Sequence, residues 1–151
     1  SSDVCSSDLQ TCHGAIARLD RDARLHQVQL EQPHLVDEAG ALAAEQLALA
    51  RKAGISVAQF HQVIGSGRMR CGFYDTFMKY VHGGDPNAHQ FTISNAHKDM
   101  RYLASMATEI GAVNPLQSAV RNSFAAMEAA GEGDKYVPML ADYIAKVNGL
   151  S

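Results

Sequence analysis

Ser94-Asn95-Ala96-His97-Lys98-Asp99-Met100-Arg101-Tyr102-Leu103-Ala104-Ser105-Met106-Ala107-Thr108-Glu109-Ile110 decides the fold class. Ala96, Met100, Leu103, Ala107 and Ile110 recur at steps of four and three, a single apolar stripe along a helix. Gly111 is its stop signal. Asn114 follows as an N-cap, with Pro115 at the first helical position and Gln117 at the third, so a second helix is expected there. Leu116, Val120, Phe124 and Met127 should form its buried face.

The same period extends outward in both directions. Downstream, Val137, Leu140, Ala141, Ile144 and Val147 predict a last helix. Upstream, Phe73, Phe77, Met78 and Val81 predict a helix ended by Gly83-Gly84-Asp85-Pro86. Ser56 and Gln59 form a capping box for a short helix through Val57, Phe60, Val63 and Ile64. From about Gly40, Leu42, Ala43, Gln46, Leu47 and Ala50 mark another helix, closed by Arg51-Lys52 and Gly54. No segment alternates with period two. The expected fold is all-α, with about five to six helices.

The chain has 151 residues, enough for one domain with a sizeable core. It is 46% apolar and 19% charged, with a net charge of −3. Disorder and a surface built for phosphate contacts are both disfavoured, so neither nucleic acid nor membrane is an expected partner. No run of about 18 uncharged apolar residues exists to cross a membrane. Asp3 and Asp8, without Lys or Arg nearby, do not read as a secretory signal. Cys5, Cys12 and Cys71 are odd in number and lack C-x-x-C spacing. Reduced thiols in a cytoplasmic protein are expected.

The first 39 residues differ in character. Residues 1–9, Ser-Ser-Asp-Val-Cys-Ser-Ser-Asp-Leu, read as translated sequencing-adapter, with a disordered polar tail as the alternative. Residues 10–39 crowd Arg18, Asp20, Arg21, Asp22 and Arg24 without a clean apolar face, and Pro33 interrupts them. They read either as a charged helix or as a segment translated in the wrong frame. The genetic code permits Ile-Lys in the neighbouring frame at His26-Gln27, and Ser-Asn-Leu-Ile-Ser across Glu31 to Leu35.

Few residues carry a chemical signal on their own. The histidines His13, His26, His34, His61, His82, His89 and His97 show no ligand spacing, so no metal is expected. Gly65-Ser66-Gly67-Arg68 lacks the third glycine of the dinucleotide fingerprint and reads as a turn between helices. Ile55 to Arg70 has the outline of a helix-turn-helix, but in an acidic chain Gln59, His61 and Gln62 are a weak recognition face. Lys98-Asp99, near the start of a helix, reads as a solvated pair.

Four stretches together change that reading. They are Ala44 to Gly54 (Ala-Glu-Gln-Leu-Ala-Leu-Ala-Arg-Lys-Ala-Gly), Gly65 to Arg68, Phe91-Thr92-Ile93 with His97-Lys98-Asp99, and Asn114-Pro115-Leu116. In this order they resemble the C-terminal helical domain of the β-hydroxyacid dehydrogenases. That family includes 3-hydroxyisobutyrate dehydrogenase and tartronate semialdehyde reductase and is related to 6-phosphogluconate dehydrogenase. The resemblance runs from about Leu42 to Gly149.

It implies an NAD or NADP cofactor held by an N-terminal Rossmann domain, which residues 40–151 would complete. It implies hydride transfer to or from a β-hydroxyacid such as 3-hydroxyisobutyrate or a related semialdehyde, and a homo-oligomer. Lys98 would reach the cofactor near the nicotinamide, Asp99 would orient it, and Phe91 would lie beside the ring. Ser66, Gly67 and Arg68 would face the substrate cleft. The family's acid–base lysine should fall near Gln27 to Gln29, where this sequence has none. The expected function is therefore a C-terminal fragment of an NAD(P)-dependent β-hydroxyacid dehydrogenase, inactive alone. A stand-alone helical dimerisation module without catalysis is the alternative.

Overall fold

The computed structural model describes the backbone of residues 32–150 and the side chains of residues 37–150. The expectations for residues 1–9, the charges of 10–31, Cys5, Cys12, His13, His26, His34 and the lysine position near Gln27 to Gln29 lie outside the described residues. The chain divides into Ser1–Pro33 and His34–Ser151, and nearly everything described belongs to the second unit.

Six α-helices are described: α1 (Gln32–Lys52), α2 (Val57–Gly65), α3 (Gly72–Val81), α4 (Ile93–Ile110), α5 (Pro115–Met127) and α6 (Leu140–Val147). A π-helical turn, Glu128–Glu132, extends α5, and a 3₁₀ turn, Val137–Met139, leads into α6. Extended pairing among these residues is limited to one isolated bridge, Thr92 with Tyr136. The fold is all-α, as the periodicity predicts.

The core sits where α3, α4, α5 and α6 meet. Phe77, Ile93, Met100, Phe124, Met127, Val137 and Leu140 are completely buried there. Burying each such side chain is worth about 1.5–3 kcal/mol, which offsets the entropy of ordering the chain. The helix ends follow the sequence signals. The capping box of Ser56 and Gln59 is formed, Thr92 caps α4, and Gly111 closes α4 in the left-handed region at φ 69°.

Several expectations need correcting. The first described helix spans Gln32–Lys52 and so extends upstream of Gly40. Pro33 does not interrupt it, because it stands in the first turn, where a missing N–H leaves no bond unmade. Gly40 lies inside this helix. A Cβ there would lie 3.0 Å from Val137 Cγ1 and 3.1 Å from Phe73 Cζ, so glycine permits the close approach of α1. The buried stripe of α1 is Asp37, Ala41, Ala44, Leu47 and Ala48, and Leu42 points outward. Ile110 and Val147 are exposed at the ends of their stripes. Leu116 is 80% exposed, and its neighbour Gln117 is buried instead. Asn114 makes no side-chain bond to the backbone of α5. Its amide donates to Gln117 Oε1 at 3.2 Å, and Gln117 Nε2 donates to the carbonyl of Met100. A polar anchor between α4 and α5 thus occupies the place expected for a simple cap.

Apolar surface is left open along α1. Leu42 lines a groove with Phe60, Ile64 and Met69 on one side, and another with Leu116 and Val120 on the other. Leu49 continues the open stripe toward Ile55 and Val63. No residue of α2 is buried.

Candidate functional site

The start of α4 is the most elaborated polar region described. Phe91 and Thr92 lead into the helix, and Lys98 and Asp99 stand on its second turn. Lys98 Nζ pairs with Asp99 Oδ1 at 3.2 Å. The lysine side chain is 51% exposed, so its ammonium keeps donors available to a ligand. Phe91 is half-buried, and its ring meets His89 edge-on at 6.3 Å. His89 in turn meets Phe73 at 5.4 Å. Burial lowers the His89 pKa, and its Nε2 has no hydrogen-bond partner among the described residues.

Asp99 also lies close enough to a buried acid of α1 to influence it. Asp37 of α1 is 1% exposed, and its Oδ2 accepts no hydrogen bond from the described residues. Burial pushes its carboxyl up to about 7, and the nearby charges of Asp99 and Glu38 add to the effect. Nothing in the local sequence marks Asp37 as buried, because its burial comes from packing against other helices.

A second polar group lies at the same helix end. His97 Nδ1 bonds Glu128 Oε2, and the Ser94 hydroxyl donates to Glu128 Oε1 at 2.8 Å. His97, Ser94 and, more weakly, Arg101 hold the Glu128 carboxyl below the usual range. This set escapes sequence reading because Glu128 and His97 are 31 residues apart.

The Ser66-Gly67-Arg68 turn lies elsewhere in the chain, between α2 and α3. Ser66 Oγ donates to the Val63 carbonyl at 3.1 Å, and the Gly67 amide to Ile64 at 3.0 Å. Among the described residues, no hydrogen bond, ion pair or ring contact links this turn to Phe91, Lys98 or Asp99. The structure brings Lys98, Asp99 and Phe91 to one helix end and leaves the turn apart.

The remaining chemistry-bearing side chains are occupied locally. Arg70 Nε pairs with Asp75 at 2.9 Å, which removes one basic residue from any nucleic-acid face. His61 stacks on Tyr74 with Nδ1 3.2 Å from its hydroxyl, and its ring lies 5.5 Å from His82. His82 and His89, which flank the glycine loop, therefore face different neighbours. Cys71 Sγ caps α3 by accepting from the Tyr74 amide. Among the described residues, no three His, Cys, Asp or Glu side chains converge as a metal site.

The start of α4 carries an accessible ammonium, Lys98, and is preceded by a half-buried aromatic ring, Phe91, two kinds of group that a dinucleotide could use. The described residues hold no glycine-rich strand–helix turn for its phosphates.

A family model described as the NAD-binding of NADP-dependent 3-hydroxyisobutyrate dehydrogenase matches residues 35–143. A crystal structure of 3-hydroxyisobutyrate dehydrogenase from Salmonella typhimurium shares the fold, with a TM-score of 0.70 and 25% sequence identity. The match covers 78% of this chain and 41% of that one, so the chain spans less than half of its structural relative. No curated protein matches. No described helix is long and apolar enough to cross a membrane.

Proposed function

This chain belongs to the family of the NAD-binding domain of NADP-dependent 3-hydroxyisobutyrate dehydrogenase, and from that premise we propose that it is the helical part of an NAD(P)-dependent β-hydroxyacid dehydrogenase. The observation that carries the proposal is the family match over residues 35–143, with part of a solved dehydrogenase sharing the fold over 78% of this chain. The site at the start of α4 is consistent with it.

In this reading the bound cofactor supplies hydride transfer to or from the carbinol carbon of a β-hydroxyacid. Lys98 binds the nicotinamide end of NAD or NADP, Asp99 orients the ammonium, and Phe91 shields one side of the ring. Ser66, Gly67 and Arg68 reach the cleft only where the dinucleotide domain completes it. The family's acid–base lysine would fall near Gln27 to Gln29, and a shifted reading frame within residues 10–39 would account for its absence from this sequence. The protein is cytoplasmic and works as a homo-oligomer.

The open apolar stripe of Leu42, Leu49, Val63 and Leu116 supports an incomplete assembly. Large exposed apolar areas usually belong to an interface. The test is a dehydrogenase assay of the 151-residue chain with NAD⁺ and NADP⁺ over a set of 3-hydroxyacids, run beside size-exclusion chromatography and dye binding. No turnover, with dye binding or aggregation, is expected. Appreciable turnover would contradict the fragment reading. A monodisperse, dye-silent species would favour the stand-alone helical module.

A further inference from the structure

A helix's first turn has amides without intrahelical partners, and frays more readily than its middle. Lys98 stands just beyond such a turn. Here the segment after α5 is strapped across it. Glu128 engages both carboxylate oxygens, Oε1 with the Ser94 hydroxyl at 2.8 Å and Oε2 with His97 Nδ1. The backbone continues the strap. The Ser94 amide donates to the Gly133 carbonyl at 3.0 Å, and the Ile93 amide to Lys135 at 2.8 Å. The Val137 amide donates to the Phe91 carbonyl at 2.9 Å. Gly133 lets the strap close, because a Cβ there would lie 2.4 Å from Ser94 Oγ. Phe91, Ile93, Ser94 and His97, which lead up to Lys98, are therefore tied to one segment, and Glu128 supplies the side-chain ties.

We propose that Glu128 is a positioning residue: through Ser94 and His97 it locks the first turn of α4 and fixes where Lys98 and Phe91 stand toward a nicotinamide cofactor. The purpose of the lock rests on the dehydrogenase reading; the lock itself rests on geometry. Glu128 touches neither cofactor nor reacting atoms and acts through the helix it holds. A carboxylate suits the role because it accepts from a hydroxyl and an imidazole at once, and charge-assisted bonds are roughly twice as strong as neutral ones. The groups facing it are Ser94, His97 and, further off, Arg101.

The experiment is amide hydrogen exchange on the 151-residue chain, comparing wild type, Glu128→Ala and Glu128→Gln. In Glu128→Ala, the amides of Ile93 and Ser94 and the turn through Lys98 should exchange about tenfold faster, the loss of roughly one charge-assisted bond. The amides of Ile144 and Ala145 in α6 should not change. Glu128→Gln keeps oxygen and nitrogen in place but loses the charge, so it should fall between the two. In wild type, protection at Ser94 should drop as acid protonates Glu128, and Glu128→Gln should be flat over that range. Unchanged exchange at Ile93 and Ser94, or equal acceleration in α6, would overturn the proposal. The same samples titrated with NADP⁺ and NAD⁺ separate the two layers. Perturbation at Lys98 that Glu128→Ala weakens several-fold supports the link to the cofactor. Perturbation by neither nucleotide is the result expected of a chain without the dinucleotide domain, and the exchange result then decides the lock by itself.

Discussion

The two sides of this bundle solve burial differently. Where α4, α5 and α6 meet, Ile93, Met100, Phe124, Met127 and Leu140 are completely buried and Gln117 ties α4 to α5 from within, while Ile110, Leu116 and Val147 are exposed at the helix ends. Along α1, Ala41, Ala44, Leu47 and Ala48 face inward while Leu42 and Leu49 face outward, and α2 buries no residue and exposes Val63. The first region is a finished core. The second has the composition of an interface. A helical domain split from a two-part enzyme should show that asymmetry, whereas an independent module should bury both sides.

The sharpest way to break this comparison is to cut large side chains from each side. Phe124→Ala should lose about 3–5 kcal/mol of stability in denaturant unfolding, the usual loss for an aromatic removed from a closed core. Leu49→Ser, at a position 63% exposed, should change stability by less than about 0.5 kcal/mol while lowering hydrophobic-dye binding. Equal losses at the two positions would mean that α1 is covered as well as the core is.

Asp37 sharpens the comparison next, because it places a charge in the seam between the two sides. Unfolded, its carboxyl ionises near 3.8; folded, burial holds the proton until about 7. The folded state then binds the extra proton between those values, so stability falls as pH rises from about 4 to 7 and is level above. A displacement of that size is worth at most about 4 kcal/mol. Asp37→Asn should remove this fall and be the more stable protein at pH 8, measured by urea midpoints across pH. A variant that keeps the wild-type slope would show that Asp37 stays ionised and partnered.

Gly40→Leu probes the same seam by volume. Overpacking against Val137 and Phe73 should cost about 1–3 kcal/mol in the thermal or urea transition. A neutral result would mean that α1 is free to move outward. The smallest effect belongs to the open side. Arg70→Ala breaks an exposed pair with Asp75, and no measurable change in the urea midpoint is expected. A clear destabilisation there would contradict the view that this side contributes little to the fold.

Much of the fold is legible because helix periodicity and capping are local. The stripe of Ala96, Met100 and Ala107, the Ser56 box and the Gly111 stop can each be read within one or two turns. The start of α1 is not, because Asp37 falls on its buried stripe and breaks the apolar pattern that would have revealed it. Leu116 and Gln117 exchange their expected roles for a tertiary reason: the Met100 carbonyl offers Gln117 a partner from another helix. The site divides in the same way. Lys98, Asp99 and Phe91 are close in sequence and come together on one helix end, so a motif could reveal them. Glu128 and Asp37 reach that end from distant segments, and only folding brings them there.

The central claim is that these helices are one half of a dinucleotide-dependent enzyme. It is tested most directly by long-read sequencing of the source locus through the codons for residues 1–39 and about a kilobase upstream. The account predicts a strand, a G-x-G-x-x-G turn or its alanine-ended variant, and a helix, running in frame into a lysine-bearing helix that joins α1. A stop codon just upstream, with the present frame intact, would contradict it and leave Lys98 a surface lysine on a free-standing bundle.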